Sequence, residues 1–279
     1  MQSCPKKDME RANSILEELR SDYVHGASWY YDKAVEFFEA LGSYDPFKAE
    51  ILEEVRPGMA SVKNVIEAFK KGTKEGYSTE KIAKALKSLK SSAYEKISKF
   101  SLDISSAATI SFSSNVLSLL KGSGVKQVYI FTSEPNAELK QAIEEYSRFA
   151  VVSAVPLSSA QHYIEYVEAV VSGFDGIYSS GHFVNKSGTF MLLCTAKEKG
   201  IKSVIVGESF KAYDGFPPPA LKVKWENLFI PIFESVPLKF VDMLITDTGS
   251  YSNPDSLTVK EIYKNFSEEL EKKLREGDL

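Results

Sequence analysis

The sequence predicts an α/β protein in two parts: a helical N-terminal domain over residues 1–103 and a parallel-sheet α/β domain over residues 104–279. Three observations predict it. Up to about residue 103, apolar residues recur at helical spacing. Beyond it, short β-branched runs alternate with helical stretches. The chain has 279 residues, 43% hydrophobic and 26% charged, so it can bury a substantial core and is not of the disordered class.

In the first part, residues 10–20 place Ile15, Leu16 and Leu19 on one helical face, and residues 28–41 group Val35, Phe38 and Leu41. Residues 61–71 carry Val62, Val65, Ile66 and Phe69, and residues 79–90 carry Ile82, Leu86 and Leu89, at spacings of three and four. Gly72 and Gly76 break the chain between these two helices. The lysine-rich face of residues 81–99 is that of a solvated helix. In the second part, strands are predicted at 107–110, 125–131, 149–155, 176–178, 203–206 and 243–246. Helices are predicted at 113–120, 137–146, 160–171 and 188–199. Such alternation builds a parallel sheet covered on both faces, with ligands beyond the carboxyl ends of its strands. Residues 215–236, with Pro217, Pro218, Pro219 and Pro231 inside and Pro237 beside them, read as a long irregular crossover suited to an interface arm.

Composition excludes several classes. A formal net charge of −4 gives no bulk attraction for nucleic acid. Two cysteines, Cys4 and Cys194, make neither a disulfide scaffold nor a cysteine zinc site, and fit a reducing cytoplasm. The first residues lack the apolar core of a signal peptide, and no apolar run approaches the length of a membrane span. His25, His162 and His182 are the only histidines, and the chain has no Gly-x-Ser-x-Gly elbow, no phosphate-binding Walker loop and no metal motif. Gly122-Ser123-Gly124 lacks the rest of a dinucleotide fingerprint. No cofactor is expected.

The stretch from Gly173 to Thr189 is the most informative. A short strand with Ile177 and Tyr178 enters a turn at Ser179, Ser180 and Gly181; Asn185, Lys186, Ser187, Gly188 and Thr189 then open a helix through Met191, Leu192, Leu193 and Ala196. Free N–H groups and the positive end of the helix dipole form an anion site, to which Lys186 adds a full charge. On its own this is also an ordinary connection capped by Asn185. Three loops are expected at the same edge: His25-Gly26-Ala27-Ser28 at a helix start, the turn from Arg56 to Ser61, and Thr132-Ser133-Glu134-Pro135. Singly each is a cap or turn; together, Arg56 and Lys186 would clamp an anion.

These segments resemble the regulatory (alpha, beta, delta) subunits of translation initiation factor 2B, a family that includes methylthioribose-1-phosphate isomerase and ribose-1,5-bisphosphate isomerase. The resemblance runs through Val24 to Ser28, Val55 to Ala60 and Gly173 to Thr189. It continues in Gly207-Glu208-Ser209-Phe210-Lys211 and Ile245-Thr246-Asp247-Thr248-Gly249. It implies a helical domain followed by a Rossmann-like one. It also places the isomerases' catalytic cysteine at Ser111 and their catalytic aspartate at Ser158. An arginine of the first loop falls at His25, and another of the third loop at Glu134. A serine cannot shuttle protons as a carboxylate does, and replaces a thiol poorly without an activating base. The resemblance therefore implies a non-catalytic regulatory protein that forms a homo-oligomer, a dimer by default, and binds the initiation factor 2 complex through its alpha subunit. The alternative is a sugar-phosphate isomerase with a relocated catalytic pair among His25, His182 and Asp175. A third reading is a sensor of a sugar phosphate or nucleotide held by Arg56, Asn185, Lys186 and residues 187–189, with His25, Gly26 and Ala27 facing it.

Overall fold

The protein is described from a computed structural model covering residues 6–22, 24–134 and 137–276; Cys4 and Pro135 lie outside the described residues. Helical spacing of alanines and aromatics folds the first part into α1 (Lys6–Ser21), α2 (Ala27–Leu41), α3 (Pro46–Val55), α4 (Ala60–Lys74) and α5 (Thr79–Ile97). Helix α3, not singled out by apolar period, carries a clear start signal: Pro46 at its first turn, behind Asp45, whose carboxylate accepts from the N–H groups of Phe47 and Lys48. Helix α5 continues past Lys90 because Ala93 and Ile97 keep its buried stripe going. Tyr30, Tyr31, Phe37, Phe38 and Phe69 fill the centre, with Phe38 stacked on Phe69 at 4.6 Å.

The second part runs β1 (Ser106–Ile110), α6 (Ser114–Gly122), β2 (Gln127–Thr132), α7 (Leu139–Tyr146), β3 (Val151–Pro156), α8 (Ala160–Tyr163), β4 (Ala169–Ser172), β5 (Gly176–Tyr178), β6 (His182–Lys186), α9 (Thr189–Glu198) and β7 (Lys202–Val206). It continues with β8 (Ala212–Tyr213), β9 (Lys222–Trp225), β10 (Leu228–Pro231), β11 (Phe233–Pro237), β12 (Met243–Thr246), β13 (Gly249–Ser252) and α10 (Ser256–Glu276). A seven-stranded sheet in the order β13-β12-β7-β4-β1-β2-β3 is parallel except for β13. Strands β11, β6, β5 and β8 form a second sheet. The chain is thus the mixed α/β protein expected.

Three local expectations are corrected. Residues 160–171 are not one helix: α8 is a single turn, and Ala169–Ser172 is the central strand β4, paired with β1 and β7. All four of its residues are buried, and a short apolar run buried on both faces carries no period that separates strand from helix. Asn185 and Lys186 do not open the helix, which starts only at Thr189; they end β6, which makes an antiparallel hairpin with β5, with Gly181 in its turn at φ 82°. The segment 215–236 is not wholly irregular. It holds the hairpin β9–β10, whose pairing of Trp225 with Leu228 leaves a two-residue turn and puts Glu226 at φ 51°.

The two parts share a core. Helix α10, unforeseen although Val259, Ile262, Phe266 and Leu270 recur at helical spacing, returns against α5, and Phe266, Leu270 and Leu274 join Phe210 in the core of the helical part. Among the described residues no helix is long and apolar enough to cross a membrane.

Candidate functional site

Chain order sets the place of the site. From β1 the sheet grows through β2 and β3 on one side, then resumes with β4 on the other. The connections from β1 and β4 therefore leave in opposite directions and open a crevice at the carboxyl ends of these strands. Strand β1 runs into Ser111, and β4 runs through Gly173 and Phe174 into Asp175. Ser111 has φ 65°, a left-handed conformation uncommon outside glycine. These residues line a cavity of about 180 Å³ with the start of α2, Glu138 before α7, Asn185 and Lys186 of β6, and Lys211.

Carboxylates and lysines meet here in buried pairs. Ser111 Oγ donates to Glu138 Oε1 at 2.9 Å, and Lys186 Nζ lies 3.2 Å from the same oxygen. Lys211 Nζ lies 2.8 Å from Glu208 Oε2, while Ser28 Oγ donates to Glu208 Oε1 at 2.9 Å. Burial alone would raise the Glu208 carboxyl, but the Lys211 charge and the hydrogen bonds around it hold it below the ordinary 4.5. Asp175 goes the other way. Burial pushes it above the ordinary 3.8, opposed by Lys211 and by the Ala27 N–H that donates to its Oδ1 at 3.2 Å, and reinforced by Glu138. His25, at the mouth, pairs with Asp22 at 2.7 Å and stacks on Trp29 at 4.4 Å.

An acid raised on folding binds its proton more tightly in the native state. Its contribution to stability is full below 3.8 and is lost as pH rises through the higher folded value. Asp175→Asn removes that loss. The variant is expected to match the wild type in acid and to exceed its thermal midpoint near neutrality, a gap that widens with pH and is read by thermal unfolding across a pH series. A gap independent of pH would show that Asp175 is not held in this way.

Of the residues predicted from sequence, the cavity brings together His25, Gly26, Ala27, Ser111, Asp175, Asn185 and Lys186. It does not bring in Arg56, which is buried, donates to Val55 O, lies 5.3 Å over the Tyr30 ring and lines a separate groove beside α3. The expected clamp of Arg56 with Lys186 is therefore not formed around this cavity. Ser158 sits exposed in a 3-10 turn outside it, Glu134 is exposed elsewhere, and His182 bonds the Ser180 carbonyl. Asn185 is no helix cap; from β6 its Nδ2 donates to Ser172 Oγ and Thr189 Oγ1, at 2.9 Å each. Sequence reasoning missed Glu138, Glu208 and Lys211 as site residues. Glu208 and Lys211 stand in Gly-Glu-Ser-Phe-Lys, one of the segments that carry the resemblance, but nothing local marks Glu138.

The anion site expected at residues 187–189 is filled by the chain itself. Gly188 N and Phe190 N both donate to Glu234 Oε1, at 2.7 and 2.8 Å, and Ser187 N donates to the Ile232 carbonyl. Gly188 holds φ 101°, and a Cβ there would come within 2.6 Å of Leu157 and 3.0 Å of Ile110, so the approach to α9 requires glycine. Glu234 thus caps α9 from another strand, at the positive end of its dipole. Glu234→Ala is expected to cost about 1–2 kcal/mol in urea unfolding. Glu234→Gln, which keeps the acceptor, should cost less, and equal costs would argue against the cap.

Among the described residues no cluster of three or more His, Cys, Asp or Glu is placed to hold a metal ion. The arrangement offers one buried acid raised above its ordinary value, two lysines already paired, and the hydroxyl of Ser111.

Comparisons with known proteins agree with this architecture. The chain is 28% identical over 149 residues to the ribose 1,5-bisphosphate isomerase of Thermococcus kodakarensis, a match spanning 46% of each chain, so less than half of that relative's length is covered. It is 25% identical over 273 residues to a translation initiation factor eIF-2B subunit 2-like protein of Pyrococcus horikoshii, covering 86% of this chain and 96% of the relative. Among solved structures, the Pyrococcus horikoshii OT3 translation initiation factor eIF-2B superposes with a TM-score of 0.76 at 21% identity, over 88% of this chain and 98% of that one. The 5-methylthioribose 1-phosphate isomerase of the same organism gives 0.68 at 18% identity, over 91% and 88%. At such identities the structures establish the fold alone. The model of the initiation factor 2 subunit family matches residues 32–223, and with the fold described above this chain belongs to that family.

Proposed function

We propose that this chain is a non-catalytic, regulatory-type member of the family, which holds a small polar ligand in the switch-point cavity and works through a protein partner in the cytoplasm. The observation that carries this reading is Ser111. Where the resemblance places a catalytic thiol there is a hydroxyl, donated to Glu138, which is itself held by Lys186. An alcohol needs a strong neighbouring base to become a nucleophile or proton carrier, and a carboxylate tied to a lysine is a poor one. A relative matched over 86% of this chain bears an initiation-factor name and another, matched over 87%, is a ribose 1,5-bisphosphate isomerase. With the hydroxyl at Ser111, the reading takes the initiation factor 2 complex as partner, its alpha subunit first, with a homodimer as the acting assembly. Calorimetric titration of the full chain with purified initiation factor 2 subunits should give saturable binding; no heat at tens of micromolar would overturn this part of the reading.

One observation favours a second reading, a sugar-phosphate isomerase. Asp175 is a buried carboxyl, pushed above its ordinary 3.8 by burial, in the same cavity as Ser111, the kind of group an acid–base enzyme uses. Ribose 1,5-bisphosphate and methylthioribose 1-phosphate, incubated with the protein and followed by NMR, should stay unchanged. Turnover abolished by Asp175→Asn would establish the isomerase instead.

A further inference from the structure

The cavity is unlike a phosphate site in one respect: each cation at it already faces a carboxylate of this chain. Lys186 is paired with Glu138 at 3.2 Å, both with side chains less than one-tenth exposed. Lys211 is paired with Glu208 at 2.8 Å, both again buried. His25 at the mouth is held by Asp22. The nearby helix start that would otherwise receive an anion is occupied by Glu234. An entering phosphate would have to pull Lys186 off a buried partner, or lie beside Glu138 with like charges in a poorly screening interior. Arg56, the remaining cation expected to bind an anion, does not line the cavity.

What the walls do offer is polar, with no unpaired cation among the described residues that line them. Apart from the paired charges and the Asp175 carboxyl, Asn185, Gln141 and the serine hydroxyls supply hydrogen-bond donors and acceptors, and Phe112 and Phe174 supply flat apolar surface. The volume, about 180 Å³, lies below the range of about 300–1,000 Å³ typical of drug-sized ligand sites, so the occupant is smaller than a nucleotide. We infer that the cavity takes an uncharged polyhydroxylated small molecule, such as a free monosaccharide or linear polyol, and rejects phosphate, with Glu138 as the residue that sets this choice. Hydroxyls match the donors and acceptors, and the C–H face of such a molecule matches the aromatic walls. The inference rests on the reading of the chain as a binding protein.

The test is binding of two classes of probe to the full chain by calorimetry at matched ionic strength: a panel of free pentoses, hexoses and linear polyols, and inorganic phosphate. Wild type should bind at least one neutral member saturably and phosphate not at all in the millimolar range. Glu138→Gln, which removes the charge and frees Lys186, should gain phosphate binding by about tenfold or more. Glu138→Asp keeps the charge on a shorter side chain and should still reject phosphate, which retains the test if the amide variant folds poorly. Phosphate binding by wild type that Glu138→Gln leaves unchanged would overturn the inference, as would failure of every neutral probe. Phosphate binding without turnover sinks only the ligand class. Turnover of a sugar phosphate sinks the binding reading itself.

Discussion

Replacing Lys211 by methionine is expected to cost about 3–5 kcal/mol of folding stability. Lys211 and Glu208 are 5% and 1% exposed, and Lys211 is the cation 2.8 Å from the buried carboxylate. Methionine keeps much of the volume, so the loss is chiefly the charge, and it leaves Glu208 in the interior with the Ser28 hydroxyl and no counter-ion. The pH dependence follows from the depressed Glu208 carboxyl. A carboxyl lowered on folding contributes stability that is present above its ordinary value of 4.5 and lost as pH falls through the lower folded value. Without Lys211, burial is opposed only by the remaining hydrogen bonds on Glu208 and favours its neutral form, so acid relieves the variant while it weakens the wild type. Urea unfolding at about pH 7 should show the full gap, and at about pH 4 a smaller one. Combining Lys211→Met with Glu208→Leu should recover much of the loss, because removing both partners leaves no lone buried charge. A double variant no more stable than the single one would count against the pair as the cause.

Asn64→Ala is the second large effect, expected at about 2–6 kcal/mol from two buried carbonyls at about 1–3 kcal/mol each. Asn64, on α4, donates through Nδ2 to the carbonyls of both Phe210 and Ala212, at 2.8 Å each. This one amide ties the helical part to the segment that carries Glu208 and Lys211. Alanine leaves both acceptors without their donor and out of reach of water, since Asn64 itself is 3% exposed. Asn64→Asp should be worse, because a carboxylate would face two carbonyl oxygens with nothing to donate. Chemical denaturation measures both; a cost below about 1 kcal/mol for alanine would show that the carbonyls find other donors.

Much of the fold was legible in the sequence. Helices α1, α2, α4 and α5 announce themselves because one face of each is buried and the other solvated, which writes a period into the chain. Strands β1, β2, β3, β7 and β12 are marked by β-branched runs between turns. The central strand β4 was not legible, and the cause is its centrality: Ala169, Val170, Val171 and Ser172 are buried on both faces, so no alternation survives to separate strand from helix. The hairpin β5–β6 was hidden for a related reason. Asn185 and Lys186 resemble the opening of a helix one turn before α9, and only their pairing with β11 makes them strand residues.

The sequence by itself determined the helical part and the strand–helix alternation after it, the hydroxyl at Ser111, and the presence of Asn185 and Lys186 at the site. It did not determine what those groups face. The carboxylates that decide this come from afar in the chain: Glu138 is 48 residues from Lys186, and Glu234 is 46 from Gly188. Electrostatic and hydrogen-bonding energies fall off over a few ångströms of space, and separation along the chain does not enter them. Lys186 and the start of α9 therefore read locally as a place for an external anion. In the folded molecule each is already satisfied by an anion of the chain's own, which only the tertiary structure brings within reach.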